Sequence, residues 1–300
     1  DSGQADSPSA AEVLSDGLPS MIAYMHLTKT GGSFIEKVLR DTAGSNHTLL
    51  GFLDPFFIQG RSDYMRMQVL TLQKTRAFTI GSVRNPCEWY LSFWAFLSQT
   101  IPRNGGTLGE LYPSLPMANM TDDIMRFRKF LRHVFEPAAE GPYSDPTAWP
   151  GALTTQFAWR YLDDPVSAVY LLRAAASRNK SDPIEYDGYI RPVDNKLKPK
   201  HIEAFKRSLE AFTPGAVDCW VDASLSIEHG LRTCLKEAER KTAIKMNWTR
   251  FERALATRGH NPSQHGSCRQ YYDRTTEDLI RTVDSFIFEK FNYTSCCSPE

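Results

Sequence analysis

The stretch Tyr24-Met25-His26-Leu27-Thr28-Lys29-Thr30-Gly31-Gly32-Ser33-Phe34 constrains the fold more than any other part of the chain. The apolar run from Met21 to Met25 predicts a buried strand, and Phe34-Ile35-Glu36-Lys37-Val38-Leu39-Arg40 predicts the start of a helix. Between them lies a polar turn with two glycines. A strand that runs through a tight glycine loop into a helix N-terminus is a ready anion site. Loop amides point outward, the helix dipole adds positive potential, and Lys29 adds a full charge. The ligand that suits such a loop is a phosphate or a sulfate. The order is not a Walker A sequence, which needs Gly, four residues, then Gly-Lys-Ser/Thr. Here the lysine precedes the glycine pair.

A second strand-to-helix passage follows. Arg76 to Val83 predicts a strand that ends in Arg84-Asn85-Pro86, and Cys87 to Trp94 predicts a helix. Pro86 suits the first turn of that helix. Thr48 to Phe52 and Ala216 to Val221 are further strand candidates. Asp63–Lys74, the segment that Thr121 caps with Ile124, Phe127, Leu131 and Val134 on one face, and Leu153–Leu162 predict helices between them. Helices also follow from Ile202, Phe205, Leu209 and Phe212, from Ile227, Leu231, Leu235 and Ala238, and from a last run that Thr275 opens and that ends near Phe291. Strands separated by helices imply an α/β fold with a parallel sheet and right-handed crossovers. Ligands in such sheets sit beyond the carboxyl ends of the strands, where both passages fall.

The order His26-x-x-Lys29-Thr30-Gly31-Gly32-Ser33 closely resembles the 5′-phosphosulfate loop of sulfotransferases, above all the Golgi carbohydrate (heparan- and chondroitin-type) enzymes. Arg84 and Ser92 resemble the same family's 3′-phosphate site, Arg-Asp-Pro with a serine eight residues after the arginine; Asn85 stands in place of the aspartate. Leu153–Leu162 resembles an Asn-x-Gln-x-x-x-Leu region with the asparagine replaced, and Gln156 and Arg160 share a face there. Asn261-Pro262-Ser263, the pair Tyr271-Tyr272 and the ending Phe291-Asn292-Tyr293 resemble the family's C-terminal pattern, with Asn292 for a glycine. The likeness runs from Ile22 to Tyr293 and is specific at the two phosphate motifs.

The resemblance implies a P-loop NTPase-like three-layer fold, with a central parallel sheet flanked by helices, in one domain over 20–295. It implies 3′-phosphoadenosine 5′-phosphosulfate (PAPS) as donor and 3′-phosphoadenosine 5′-phosphate (PAP) as product. The sulfuryl group would pass to a hydroxyl or amine, on a glycan. Lys29 would bond the bridging oxygen. Thr30, Gly31, Gly32 and Ser33 would hold the 5′-phosphate, and Arg84 and Ser92 the 3′-phosphate. Ser263 and His265 are candidate nucleotide contacts. No metal is required, and no zinc-spaced Cys/His cluster or acidic metal motif is present in the sequence. The family places a His or Glu base just after the second strand, and this sequence departs from that pattern. His47 before the strand ranks first, because imidazole titrates near neutrality. Asp54 after the strand ranks second and Glu36 third; His26 reads as a packed strand-end residue. Three alternatives stand beside this reading: transfer to a small-molecule acceptor, a P-loop nucleotide kinase, and a nucleotide-binding protein without activity. A kinase needs a lysine after the glycines and a Mg²⁺-binding acid after a strand.

Zero net charge at neutral pH argues against a polycation that binds nucleic acid. Lys196 to Arg207 is the most basic local segment and reads as a solvated helix face. No apolar run is long enough to span a membrane. Residues 1–19 read as a disordered leader or stem remnant, and 100–150 as an acceptor-side insertion or lid. Sequons at Asn46, Asn119, Asn179, Asn247 and Asn292, with six cysteines, lean towards a secretory lumen. The expected location is the Golgi lumen, as a type II membrane protein whose anchor lies outside this chain. Adjacent Cys296 and Cys297 must find partners elsewhere; connectivity stays open.

Overall fold

The computed structural model describes residues 21–44, 47–50, 77–100, 120–135, 150–162, 199–257 and 265–298. The leader, Asp54, the helix expected over Asp63–Lys74, most of the 100–150 insertion, Ser263 and the sequons at Asn46, Asn119 and Asn179 lie outside the described residues.

The described strands are β1 (Ile22–Met25), β2 (His47–Leu50), β3 (Phe78–Val83) and β4 (Cys219–Asp222). They form one parallel sheet in the order β2-β1-β3-β4. Helix α1 (Gly32–Ala43) follows β1 and α2 (Pro86–Thr100) follows β3. Next come α3 (Met120–Phe135), α4 (Ala152–Tyr161) and α5 (Pro199–Ala211). After β4 come α6 (Ile227–Lys241), α7 (Trp248–Ala256), α8 (Cys268–Tyr271), α9 (Arg274–Val283) and α10 (Ser285–Lys290). The chain is therefore α/β, with a parallel sheet flanked by helices, as the alternation of strand and helix patterns implied.

Each face of the sheet carries its own core. Ile22, Tyr24, Phe78, Ile80 and Val221 point to one side and meet α1, α6 and α7 through Ile35, Leu39, Leu231, Leu235 and Phe251. Val83 and Trp220, of opposite parity, point to the other side, with Trp94, Phe127, Phe157, Tyr271 and Ile287 of the remaining helices. Parity decides the side because successive strand residues face opposite ways. A one-residue slip would exchange the two sets, and each large apolar side chain turned out to water costs about 1.5–3 kcal/mol. The register is thereby fixed.

Helix ends follow local chemistry. Ser226 caps α6 through the amide of His229, and Asn247 caps α7 through that of Arg250. Asp273 and Thr276 form a reciprocal capping box on α9. Helix α3 begins at Met120, so Thr121, expected as its cap, lies inside the first turn. The single last helix expected from the sequence is two, broken at Asp284. That carboxylate is fully buried and turned inward, accepting from Tyr90 Oη and the Thr154 amide at 2.7 Å each.

All six cysteines pair, as Cys87–Cys296, Cys219–Cys234 and Cys268–Cys297. Three disulfides fit an oxidising, secretory or extracellular setting. No helix among the described residues is long and apolar enough to cross a membrane.

Candidate anion site at the carboxyl ends of β1 and β3

Sheet topology brings the two strand ends side by side: β1 and β3 pair through Met25 and Gly81. The loop after β1 is held by its carbonyl groups. Leu27 O accepts from Thr30 Oγ1 at 2.6 Å, Thr28 O from the Trp89 indole at 2.7 Å, and Lys29 O from Arg84 Nη1 at 3.2 Å. Three consecutive carbonyls are thus bonded to protein donors, which leaves the amide side of the loop for a ligand. The first amides of α1 have no intrahelical acceptor, and its N-cap, Gly31, has no side chain to cap them. An anion completes such a helix end.

Backbone conformation shows why this loop has this sequence. Lys29 has φ 62° and Gly31 φ 78°, both left-handed. The lysine conformation costs about 1–2 kcal/mol, which the bonds to Lys29 O and Thr28 O offset. A side chain at Gly31 would also meet Ile227 Cδ1. Gly32 has a different reason to be glycine: the His26 ring fills the place of its Cβ. His26 Nδ1 lies 2.8 Å from Glu36 Oε1, a close polar contact off the line of an aligned hydrogen bond. Glu36 is buried, so both residues brace the base of the loop.

Beneath the loop runs a chain of hydroxyls. Thr30 Oγ1 meets Ser82 Oγ at 2.6 Å, and Ser82 Oγ meets Tyr24 Oη at 2.9 Å. The Tyr161 hydroxyl donates to Met25 O at 2.8 Å and accepts from Ser82 N at 3.1 Å, tying α4 to both strand ends. Thr28 Oγ1 donates to Gln156 Oε1 at 2.8 Å. Gln156 is buried, and its Nε2 has no hydrogen-bond partner among the described residues. It is an N–H donor beside the loop with an acceptor still to find.

Two cations stand at the loop, Lys29 and Arg84. Burial, and then the neighbouring Arg84 charge, lower the pKa of Lys29 to about 8. Its Nζ stands 4.2 Å over the Phe96 ring. Burial also lowers the pKa of Arg84, against the opposing pull of Glu88, whose Oε2 is 3.6 Å from Arg84 Nε. Two partly desolvated cations side by side cost free energy, and a bound dianion relieves that cost.

The structure brings together Lys29, Thr30, Gly31, Gly32, Ser33 and Arg84. Thr30 is buried and spends its hydroxyl on Leu27 O and Ser82, so its contribution to a ligand is its amide. Ser92 is buried on α2, two turns beyond Arg84. His47 begins β2 opposite Ile22, whereas the loop leaves β1 after Met25. Its backbone is therefore at the far end of the sheet, about 10 Å from the loop end at about 3.3 Å per residue. His47, expected before the strand, is its first residue, and parallel pairing puts it opposite the start of β1, away from the carboxyl ends. Asp54 and Ser263 lie outside the described residues. Trp89, Tyr161, Ser82 and Tyr24 were not singled out from the sequence; only their contacts across the fold reveal them.

Among the described residues, no group of three or more His, Cys, Asp or Glu is placed to hold a metal ion. Comparison of the chain with protein-family models, with curated proteins and with solved structures finds no match.

Proposed function

We propose that the chain is a PAPS-dependent sulfotransferase on a P-loop NTPase-like fold, acting on a hydroxyl or amine of a glycan in the Golgi lumen. The observation that carries this reading is the bond from Arg84 to Lys29 O, which couples the residue expected at the 3′-phosphate to the loop expected at the 5′-phosphosulfate. A donor carrying both groups would span these two cations. In the reaction, Lys29 donates to the bridging oxygen as the sulfur–oxygen bond breaks. The amides of Thr30, Gly31, Gly32 and Ser33 hold the 5′-phosphate. Positioning and fixed charge carry most of such a transfer, by analogy with phosphoryl transfer. The order of lysine and glycines speaks against a kinase of the Walker A type. The disulfides and the exposed sequon asparagines Asn247 and Asn292 support a lumenal glycoprotein.

Arg84→Ala tests the assignment. Its affinity for PAP should fall by about tenfold to a hundredfold, a loss of about 1.5–3 kcal/mol for a charged hydrogen bond. Affinity for adenosine 5′-phosphate should change little. Equal losses for both nucleotides would remove Arg84 from the 3′-phosphate.

A further inference from the structure

We propose that His265 is the base that takes the acceptor's proton, an inference that rests on the donor site proposed above. It precedes α8, and two disulfides tie its segment to the turn that carries Arg84. Cys268, three residues on, is bonded to Cys297, and Cys296 is bonded to Cys87. The segment around Cys296 is fastened to the turn that carries Arg84. Asn85 Nδ2 donates to Ser295 O at 2.8 Å, and the Ser298 amide donates to Glu88 Oε1 at 3.0 Å. The Gly266 amide donates to Tyr271 Oη at 3.3 Å, and the His265 ring stands edge-on to Tyr271 at 6.4 Å.

This geometry selects one tautomer. His265 Nδ1 lies 2.9 Å from Gly266 O, a carbonyl that can only accept, so Nδ1 carries the hydrogen. Nε2 is then left with its lone pair. The groups that act on the ring are the Gly266 carbonyl, Arg84, Glu88 and Lys29. Burial, with the two cations, lowers the imidazole pKa, against the pull of Gly266 O and Glu88. A base must be unprotonated before it acts, and a lowered pKa favours that form.

Among the described residues, other basic lone pairs near the loop are packed against or bonded to neighbours. His26 Nδ1 faces Glu36, and its ring is packed against Gly32. Glu88 pairs with Arg84 and accepts from Ser298. Asp222 accepts from the Ser224 amide at 2.8 Å. In the step itself, the acceptor oxygen forms its bond to sulfur while its proton passes to Nε2. The bond from sulfur to the bridging oxygen breaks, and its electron pair stays on the 5′-phosphate of PAP, where Lys29 donates a hydrogen bond.

The test uses the full chain and diethyl pyrocarbonate, with peptide mass mapping of each carbethoxylated histidine. PAP at a hundred times its Kd should slow modification of His265 by about tenfold or more and leave exposed His229 unchanged. In parallel, His265→Gln should still bind PAP and, saturated with PAPS, release PAP, with water as acceptor, about 10²–10⁴-fold more slowly. Imidazole added to His265→Ala should restore part of that rate. A chain that binds no PAP sinks the donor site and this base together. A chain that binds PAP but leaves His265 unprotected, or a Gln variant with undiminished release, sinks the base alone. Where water is too poor an acceptor to follow, protection decides.

Discussion

Asp284 is the joint on which the second helical layer closes, and its ionisation should be visible in the stability of the whole chain. The carboxylate has no exposed surface and accepts from Tyr90 Oη and the Thr154 amide. Burial raises its pKa from 3.8 to about 6, although the bonds from Thr154 and Tyr90 act in the opposite sense. The folded chain thus holds this proton more tightly than the unfolded chain. Its contribution favours folding at low pH and is lost as pH rises through about 6. A shift of about two units corresponds to roughly 3 kcal/mol. Asp284→Asn is neutral at every pH and keeps an acceptor for Thr154, while the Tyr90 proton loses its partner at a cost that does not depend on pH. The variant should therefore gain on the native chain by up to about 3 kcal/mol between acid and neutral pH. For a chain of this size that is on the order of 5 °C in the gap between melting temperatures. Circular-dichroism melts of both proteins from about pH 4 to about pH 8 measure it. Parallel melting curves, with a constant gap across the range, would refute the buried-carboxylate argument.

Lys29 has a pKa of about 8 in the free chain, and a bound anion favours its charged form. PAP affinity should weaken above that pH by up to about tenfold per unit, and Lys29→Arg should flatten the dependence. Lys29→Ala should slow turnover by about 10²–10³-fold with a smaller effect on PAP affinity; the reverse pattern would make Lys29 a binding residue only. Gly32→Ala should destabilise the chain by about 1–3 kcal/mol through overpacking against His26. Most of that loss should return in the His26→Ala, Gly32→Ala double variant, and strict additivity in a thermodynamic cycle would contradict the contact.

What was legible in the sequence was local. The strand ahead of Lys29, the helix after Gly32 and the Arg84 turn are each written in a few adjacent residues, and the parallel order follows from their alternation. The break at Asp284 was not legible, because in sequence it interrupts a continuous apolar face. Only Tyr90 and Thr154, packed against it from two other helices, turn its side chain inward. The Cys87–Cys296 pairing spans 209 residues and has no local signature. His47 was ranked as a base by its chemistry, but the strand register sets where it sits, and that register is decided by burial across the whole sheet. His265 drew notice only as a nucleotide contact. Its tautomer depends on a carbonyl one residue away, and its place on two disulfides.

The most direct test of the account is calorimetric titration of the chain with PAP, with ATP–Mg²⁺ in a parallel cell. The Lys29 loop and the Arg84 turn, acting as one site, predict tight one-to-one binding of PAP and none of ATP–Mg²⁺. Binding of ATP–Mg²⁺ alone, or of neither nucleotide, would contradict the central claim that these two strand ends form a PAPS site.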